Sequence, residues 1–259
     1  MRRLKAAAEK AKKDLSGAVE TTIELDARSG QRIEVWRLHD LGSVVARVSP
    51  AKTVSHAEED PVFQMAQRVA AERQVFICLG SLLVQGGGEG KLVNRQILLD
   101  PAGAVINSYD KIHLFDVSIG DGQHYGESEI FAPGDEAVVS ALPDTGAVLG
   151  HTIRYDSRFP SLQQTLAMAG ANVLLVPAAF TQKTGRAHWH TLLRARAIET
   201  GSWLLAAGTC GEHAGGRRTY GHSCVVNPWG EIVAEIASET NEGLLSYALD
   251  FKDVTTARS

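Results

Sequence analysis

Residues 2–15 are rich in Ala and Lys and read as a helix. Val19, Thr21, Ile23 and Leu25 then alternate with polar neighbours, the period-two signature of a strand. A turn over 26–31, containing Ser29-Gly30, leads to a second strand at 33–38, so 19–38 predicts a β-hairpin. Pro61 opens a helix that runs to Arg73, with Glu58, Glu59 and Asp60 at its positive end. An apolar run at 75–84 reads as a buried strand. Strands at 93–99 and 104–109 flank the turn Asp100-Pro101-Ala102-Gly103, and a long loop covers 112–135. The apolar segment 146–154 feeds a tight turn and a helix at 159–169. A strand at 173–176 and a helix at 188–200 follow. Short strands near 203–207, 221–226, 231–236 and 243–249 complete the pattern, with Asn227-Pro228-Trp229-Gly230 as a turn. Strands and helices mix without repeats or low-complexity linkers, which predicts one α/β domain over 1–259 with helices covering sheets.

Composition narrows this picture. A chain of 259 residues with 44% apolar content can bury a full core. A net charge of −4 excludes the basic patch that nucleic-acid binding needs. No apolar run reaches the roughly 18 residues of a membrane helix. The opening MRRLKAAAEKAKKDL lacks the apolar stretch of a signal peptide. Three scattered cysteines, Cys78, Cys210 and Cys224, make no disulfide framework and suit a reducing cytoplasm. Cys78 and Cys224 fall within strands and read as core thiols. Gly86-Gly87-Gly88 is a loop tip, since no Lys-Ser or Lys-Thr follows to open a phosphate-binding helix. His188 and His190 lie two apart on a helix, whereas a helical zinc pair needs i and i+4. Neither a metal nor a cofactor is expected.

The segment Ala147 to Pro160 is an apolar strand, a tight turn and a helix start, a corner that presents a side chain at the top of a sheet. Its Tyr155-Asp156-Ser157-Arg158-Phe159-Pro160 resembles the nucleophile corner of the nitrilase (carbon–nitrogen hydrolase) superfamily, whose members carry Cys-Tyr-Asp-x-Arg-Phe-Pro. Four further blocks resemble the same family. They are Asn94-Arg95 with Tyr109-Asp110-Lys111-Ile112-His113-Leu114-Phe115-Asp116; His124-Tyr125-Gly126-Glu127-Ser128; Pro177 to Thr181 with Ala187-His188-Trp189-His190 and Leu193 to Glu199; and Cys210-Gly211-Glu212-His213 with Tyr220 to Ser223 and Asn227 to Gly230. The resemblance covers about 56–250 and is nearest the branch that holds deaminated-glutathione amidase.

This resemblance implies a four-layer αββα sandwich and a cysteine mechanism on a small amide. A thiolate attacks, a glutamate moves protons, a lysine steadies the oxyanion, and water releases the acid. Lys111 takes the lysine's part, Glu127 orients it, and the Tyr155 backbone N–H is the second oxyanion donor. Phe180, Thr181, His188 and Trp189 fall at the substrate pocket, and Cys210 at a strand end facing it. Residues 159–169 and 186–200 match the segments through which relatives pair, so the resemblance implies a homodimer or larger homo-oligomer.

The nucleophile position, however, holds Arg154, which offers donors only and cannot attack a carbonyl. The family's catalytic glutamate follows a proline at a strand end, and no Pro-Glu precedes Glu58-Glu59-Asp60-Pro61. Glu34 stands in a strand with different neighbours. The first 50 residues are atypical, which implies an altered N-terminal edge, and the family's basic C-terminal tail has no counterpart. Counting full charges, the pocket moves from about −1 to about +1. Arg154 then either pairs with Glu127 and plugs the pocket, or turns it toward an anion such as a carboxylate. The reading is a catalytically impaired homologue serving as an anion-binding or partner subunit. The alternative is an active amidase on deaminated glutathione or a similar ω-amide.

Overall fold

The structure is a computed structural model that describes residues 22–26, 32–36, 57, 60–86, 90–118, 124–213, 216, 218–241 and 243–259. The predicted helix at 2–15, together with Glu58, Glu59 and the tip of the glycine loop, lies outside these. In chain order the elements are β1 (Thr22–Asp26), β2 (Arg32–Trp36), α1 (Pro61–Arg73), β3 (Val75–Gln85), β4 (Leu92–Leu99), β5 (Val105–Asp110), β6 (Asp116–Ser118), β7 (His124–Gly126), β8 (Val139–Ala141) and β9 (Val148–His151). Then come α2 (Pro160–Met168), β10 (Val173–Leu175), α3 (Gln182–Thr200), β11 (Trp203–Ala206), β12 (Cys210–Glu212), β13 (Arg218–Tyr220), β14 (Cys224–Val226), β15 (Ile232–Glu235), β16 (Leu244–Ala248) and α4 (Lys252–Arg258).

Two six-stranded sheets face one another, ordered β16-β2-β1-β3-β4-β5 and β15-β14-β11-β10-β9-β8. Residues along β3 sort by parity. Phe76 and Cys78 point between the sheets to meet Leu149, Val173, Leu175 and Trp203. Val75, Ile77 and Leu79 point outward against Phe63, Ala66 and Ala70 of α1. The second sheet repeats this arrangement: Leu174, Leu204 and Val226 meet Leu166, Trp189 and Leu193 of α2 and α3. The order of layers is thus helix, sheet, sheet, helices, the expected αββα sandwich. A strand buried on both faces shows no alternation in its sequence, which is why 75–84 reads as one apolar run.

The predicted hairpin forms, with Thr22 opposite Trp36 and Asp26 opposite Arg32. It does not sit at an edge. β1 pairs with β3 and β2 with β16, so the atypical N-terminal segment supplies two inner strands. Asp60 caps α1 by accepting from the Val62 amide at 2.7 Å. Asp100 closes its turn by accepting from the amides of Ala102 and Ala104.

Some expectations need correction. The segment 112–135 is not all loop, since β6 and β7 form a small hairpin within it. The corner strand ends at His151, and Arg154–Arg158 already forms a 3₁₀ turn. Helix α3 begins at Gln182, well before 188, because Thr181 accepts from the Thr184 amide and caps it. Strands β8, β12 and β13 and helix α4 were not anticipated.

Candidate active site

Strand β5 ends at Asp110 and delivers Lys111 into the interior, where it is 1% exposed. Its backbone is fixed on both sides, donating to Asn94 O and accepting from the Gly134 amide. The ammonium bonds Glu127 Oε2 at 2.5 Å. Glu127 opens the 3₁₀ turn Glu127–Glu129, and the same oxygen accepts from the Phe115 amide at 2.6 Å. The structure therefore joins Lys111 and Glu127, which are 16 positions apart. Burial pushes the Lys111 ammonium below its ordinary value; Glu127 opposes this, and the Arg154 charge adds to it.

Arg154 stands at the corner after β9. Its φ is +47°, a left-handed conformation that costs a non-glycine residue about 1–2 kcal/mol. Neighbouring bonds hold it there: Arg154 N donates to Pro177 O at 2.9 Å, and Thr152 Oγ1 donates to Leu175 O at 2.6 Å. Both acceptors lie on or just beyond the parallel neighbour β10. The guanidinium carbon lies 4.9 Å from the centre of the Phe115 ring, a cation–π distance. Glu127 Oε2 takes both Lys111 and the Phe115 amide, and among the described residues its ion pair is with Lys111, so of the two outcomes open to Arg154 the pairing with Glu127 is not the one seen. Phe115 is the shared piece, with its amide on Glu127, its face under Arg154 and its edge relation to Tyr155 at 4.9 Å. Among the described residues none accepts from the Tyr155 backbone amide, the donor that the resemblance assigns to an oxyanion.

The remaining predicted residues divide. Phe180 and His188 join the corner through Arg158, whose guanidinium carbon lies 5.6 Å from the Phe180 ring centre and whose Nη2 donates to His188 Nδ1 at 3.1 Å. Arg158 also lies over Tyr155 at 5.8 Å, and burial lowers its guanidinium pKa. Thr181 is occupied in capping α3. Trp189 is buried behind Phe180 and donates its indole N–H to His222 O. All three cysteines are free and buried, and burial raises the thiols of Cys78 and Cys224 well above the usual range. No group of His, Cys, Asp and Glu suited to a metal ion occurs among the described residues.

Two participants carried no role in the sequence reading. Arg158 appeared only as a matched letter of the corner motif. Asp156, likewise quoted only as motif, is fully buried and accepts from Tyr109 Oη, the Ile153 amide, the His113 amide and His113 Nδ1 at 2.7–3.0 Å. The Ile153 amide is a local cap three residues away, but the three donors from Tyr109 and His113 lie more than 40 positions off and leave no local pattern by which to find them.

The carbon-nitrogen hydrolase family model matches residues 35–259. The deaminated glutathione amidase of Yersinia enterocolitica is 42% identical over 185 residues, covering 70% of this chain and 64% of that protein. The chain thus spans somewhat less than two thirds of that relative. Among solved structures, Saccharomyces cerevisiae Nit3, a member of branch 10 of the nitrilase superfamily, shares the fold with a TM-score of 0.70 at 22% identity. That match covers 92% of this chain and 93% of Nit3. A mutant of the amidase from Nesterenkonia sp. AN1, showing covalent addition of the acetamide moiety of fluoroacetamide at its active site cysteine, matches at 30% identity and a TM-score of 0.64. It covers 83% of this chain and 74% of that one. On the family match over residues 35–259 and these relatives, the chain belongs to the carbon-nitrogen hydrolase family of the nitrilase superfamily.

Proposed function

We propose that this chain is a carbon-nitrogen hydrolase homologue that does not form an acyl-enzyme and that binds a small carboxylate or amide at the family pocket. The observation that carries this reading is Arg154 at the corner, held at φ +47° with its guanidinium on Phe115. A protonated guanidinium has no lone pair to offer a carbonyl carbon. The thiols supply no substitute: Cys78, Cys210 and Cys224 are each about 1% exposed or less, and burial keeps Cys78 and Cys224 protonated. Lys111, Arg154 and the Tyr155 amide are suited to holding a ligand's negative oxygen. Three unpaired thiols fit a reducing cytoplasm. We further infer that copies pair through α2 and α3.

A second reading is an active amidase of the deaminated-glutathione type. The name of the Yersinia relative and the retained Lys111–Glu127 pair favour it. Ammonia release from deaminated glutathione and a few α-keto amides separates the two. The chain itself should release none, and Arg154→Cys should restore turnover if the pocket is otherwise whole. Turnover by the unmodified chain would overturn the first reading. Silence in both would keep the first reading and fit either loss of the upstream glutamate as well or a pocket that no longer assembles.

A further inference from the structure

Asp156 has no exposure to solvent, and among the described residues its ion-pair partner is His113, whose Nδ1 lies 2.8 Å from Oδ1. A buried carboxylate survives only when donors fill its lone pairs. Here four do. Tyr109 Oη (2.7 Å) and the Ile153 amide (2.8 Å) donate to Oδ2, while the His113 amide (3.0 Å) and His113 Nδ1 reach Oδ1. Tyr109 stays a donor at every working pH, because burial first and the Asp156 charge second raise its phenol far above the ordinary range. Tyr109 Oη also accepts from the Ile112 amide at 3.3 Å.

The origins of these donors are informative. Tyr109 and His113 stand two residues before and two after Lys111. Ile153 stands immediately before Arg154. A carboxylate needed only to finish the 3₁₀ turn would be served by the Ile153 amide alone. Asp156 instead gathers both sides of the lysine and the base of the corner onto two oxygens. Among the described residues no backbone ladder joins these segments at that point: the Lys111 backbone bonds to Asn94 and Gly134, and the Arg154 amide donates to Pro177 O.

We propose that Asp156 is a positioning residue that sets Lys111 in register with residue 154, whatever side chain residue 154 carries. The inference is independent of whether this chain turns over an amide. Hydrogen–deuterium exchange on the full chain tests it together with a short pulse of an amine-acetylating reagent, comparing the parent with Asp156→Asn and Tyr109→Phe. Each change should act across the gap. Asp156→Asn should raise exchange in 109–115, and Tyr109→Phe should raise it in 152–156, by about tenfold, while β10 and β11 keep their protection. Lys111, unlabelled in the parent, should become acetylated in both variants. A destabilised variant on the C-terminal helix, Val254→Ala, should do neither. The proposal is overturned if exchange rises only on the substituted side, if Lys111 labelling does not change, or if Val254→Ala gives the same pattern. Should Asp156→Asn fail to fold, Tyr109→Phe carries the test alone, since it deletes one hydroxyl and keeps the ring's volume.

Discussion

His151 lies enclosed between the sheets, three residues before Arg154, in a chain of hydrogen bonds that fixes its tautomer. Gln96 Nε2 donates to Thr152 O, so Gln96 Oε1 must accept from His151 Nδ1–H. His151 Nε2 is then left to accept the Ser140 hydroxyl at 2.8 Å, and Ser140 Oγ in turn accepts from Asn107 Nδ2. Every member of the chain is satisfied with the imidazole neutral. A second proton has no acceptor and no countercharge there, and burial holds the imidazole at about 4, below its ordinary 6.5. The sign follows from linkage. The unfolded chain takes the proton below pH 6.5 and the folded chain resists until about pH 4. Stability is therefore undiminished above pH 6.5 and falls across the window between the two values. At pH 5 the loss is on the order of 2 kcal/mol. Thermal unfolding of the parent and His151→Gln at pH 7 and pH 5 reads this directly. The parent should lose more stability between the two pH values than the variant, and parallel losses would remove His151 as the cause.

Helix α3 shows two effects of opposite sign at one position. Gly185 lies in its first turn, where intrinsic propensity favours alanine over glycine by about 1 kcal/mol. A Cβ there would stand 2.3 Å from both Cβ and Cγ of Tyr220, whose ring is stacked on His222 at 4.0 Å. Overpacking of that kind costs about 1–3 kcal/mol, so Gly185→Ala should lower the melting temperature, although propensity alone says the reverse. A rise would mean that Tyr220 and β13 move aside freely. The helix start at Gln182 is likewise set by tertiary contact, since propensity disfavours Gly185 there and only the packing of Tyr220 against it shows why glycine stands in the first turn. Long elements such as α1, β3 and β4 were legible because their apolar residues recur or run together along the chain itself. The three-residue strands β8, β12 and β13 were not, since pairing partners elsewhere define them. Helix α4, seven residues long, is too short to persist on its own and depends on docking Val254 into the inter-sheet core. In the site the split is similar. Lys111 and Glu127 could be named from ordered blocks. The double use of Phe115 and the convergence on Asp156 arise only when segments 40 or so positions apart meet.

Among the described residues, the two sheets differ in what covers them. On one side α1 buries the outer face of β3. On the other, α2 and α3 cover the second sheet yet leave apolar side chains facing outward: Met168 at the end of α2, Ile198 on α3, and Trp229 in the turn beside it are 89, 56 and 75% exposed. Ile198 and the Trp229 turn are neighbours, since a Cβ on Gly230 would stand 2.6 Å from Ile198 Cδ1, and Arg194 Nε donates to Gly230 O at 2.7 Å. Single exposed apolar residues need no explanation, but a tryptophan and an isoleucine adjoining on a helical layer form a patch of the kind that marks association. Pairing through this layer would bury them and leave the corner at 154 untouched. Light scattering should then give twice the mass of one chain. Ile198→Glu combined with Trp229→Lys should give a monomer with the parent's circular dichroism. A parent that is already monomeric, or a double variant that keeps the dimer mass, would show that this layer is not where copies meet.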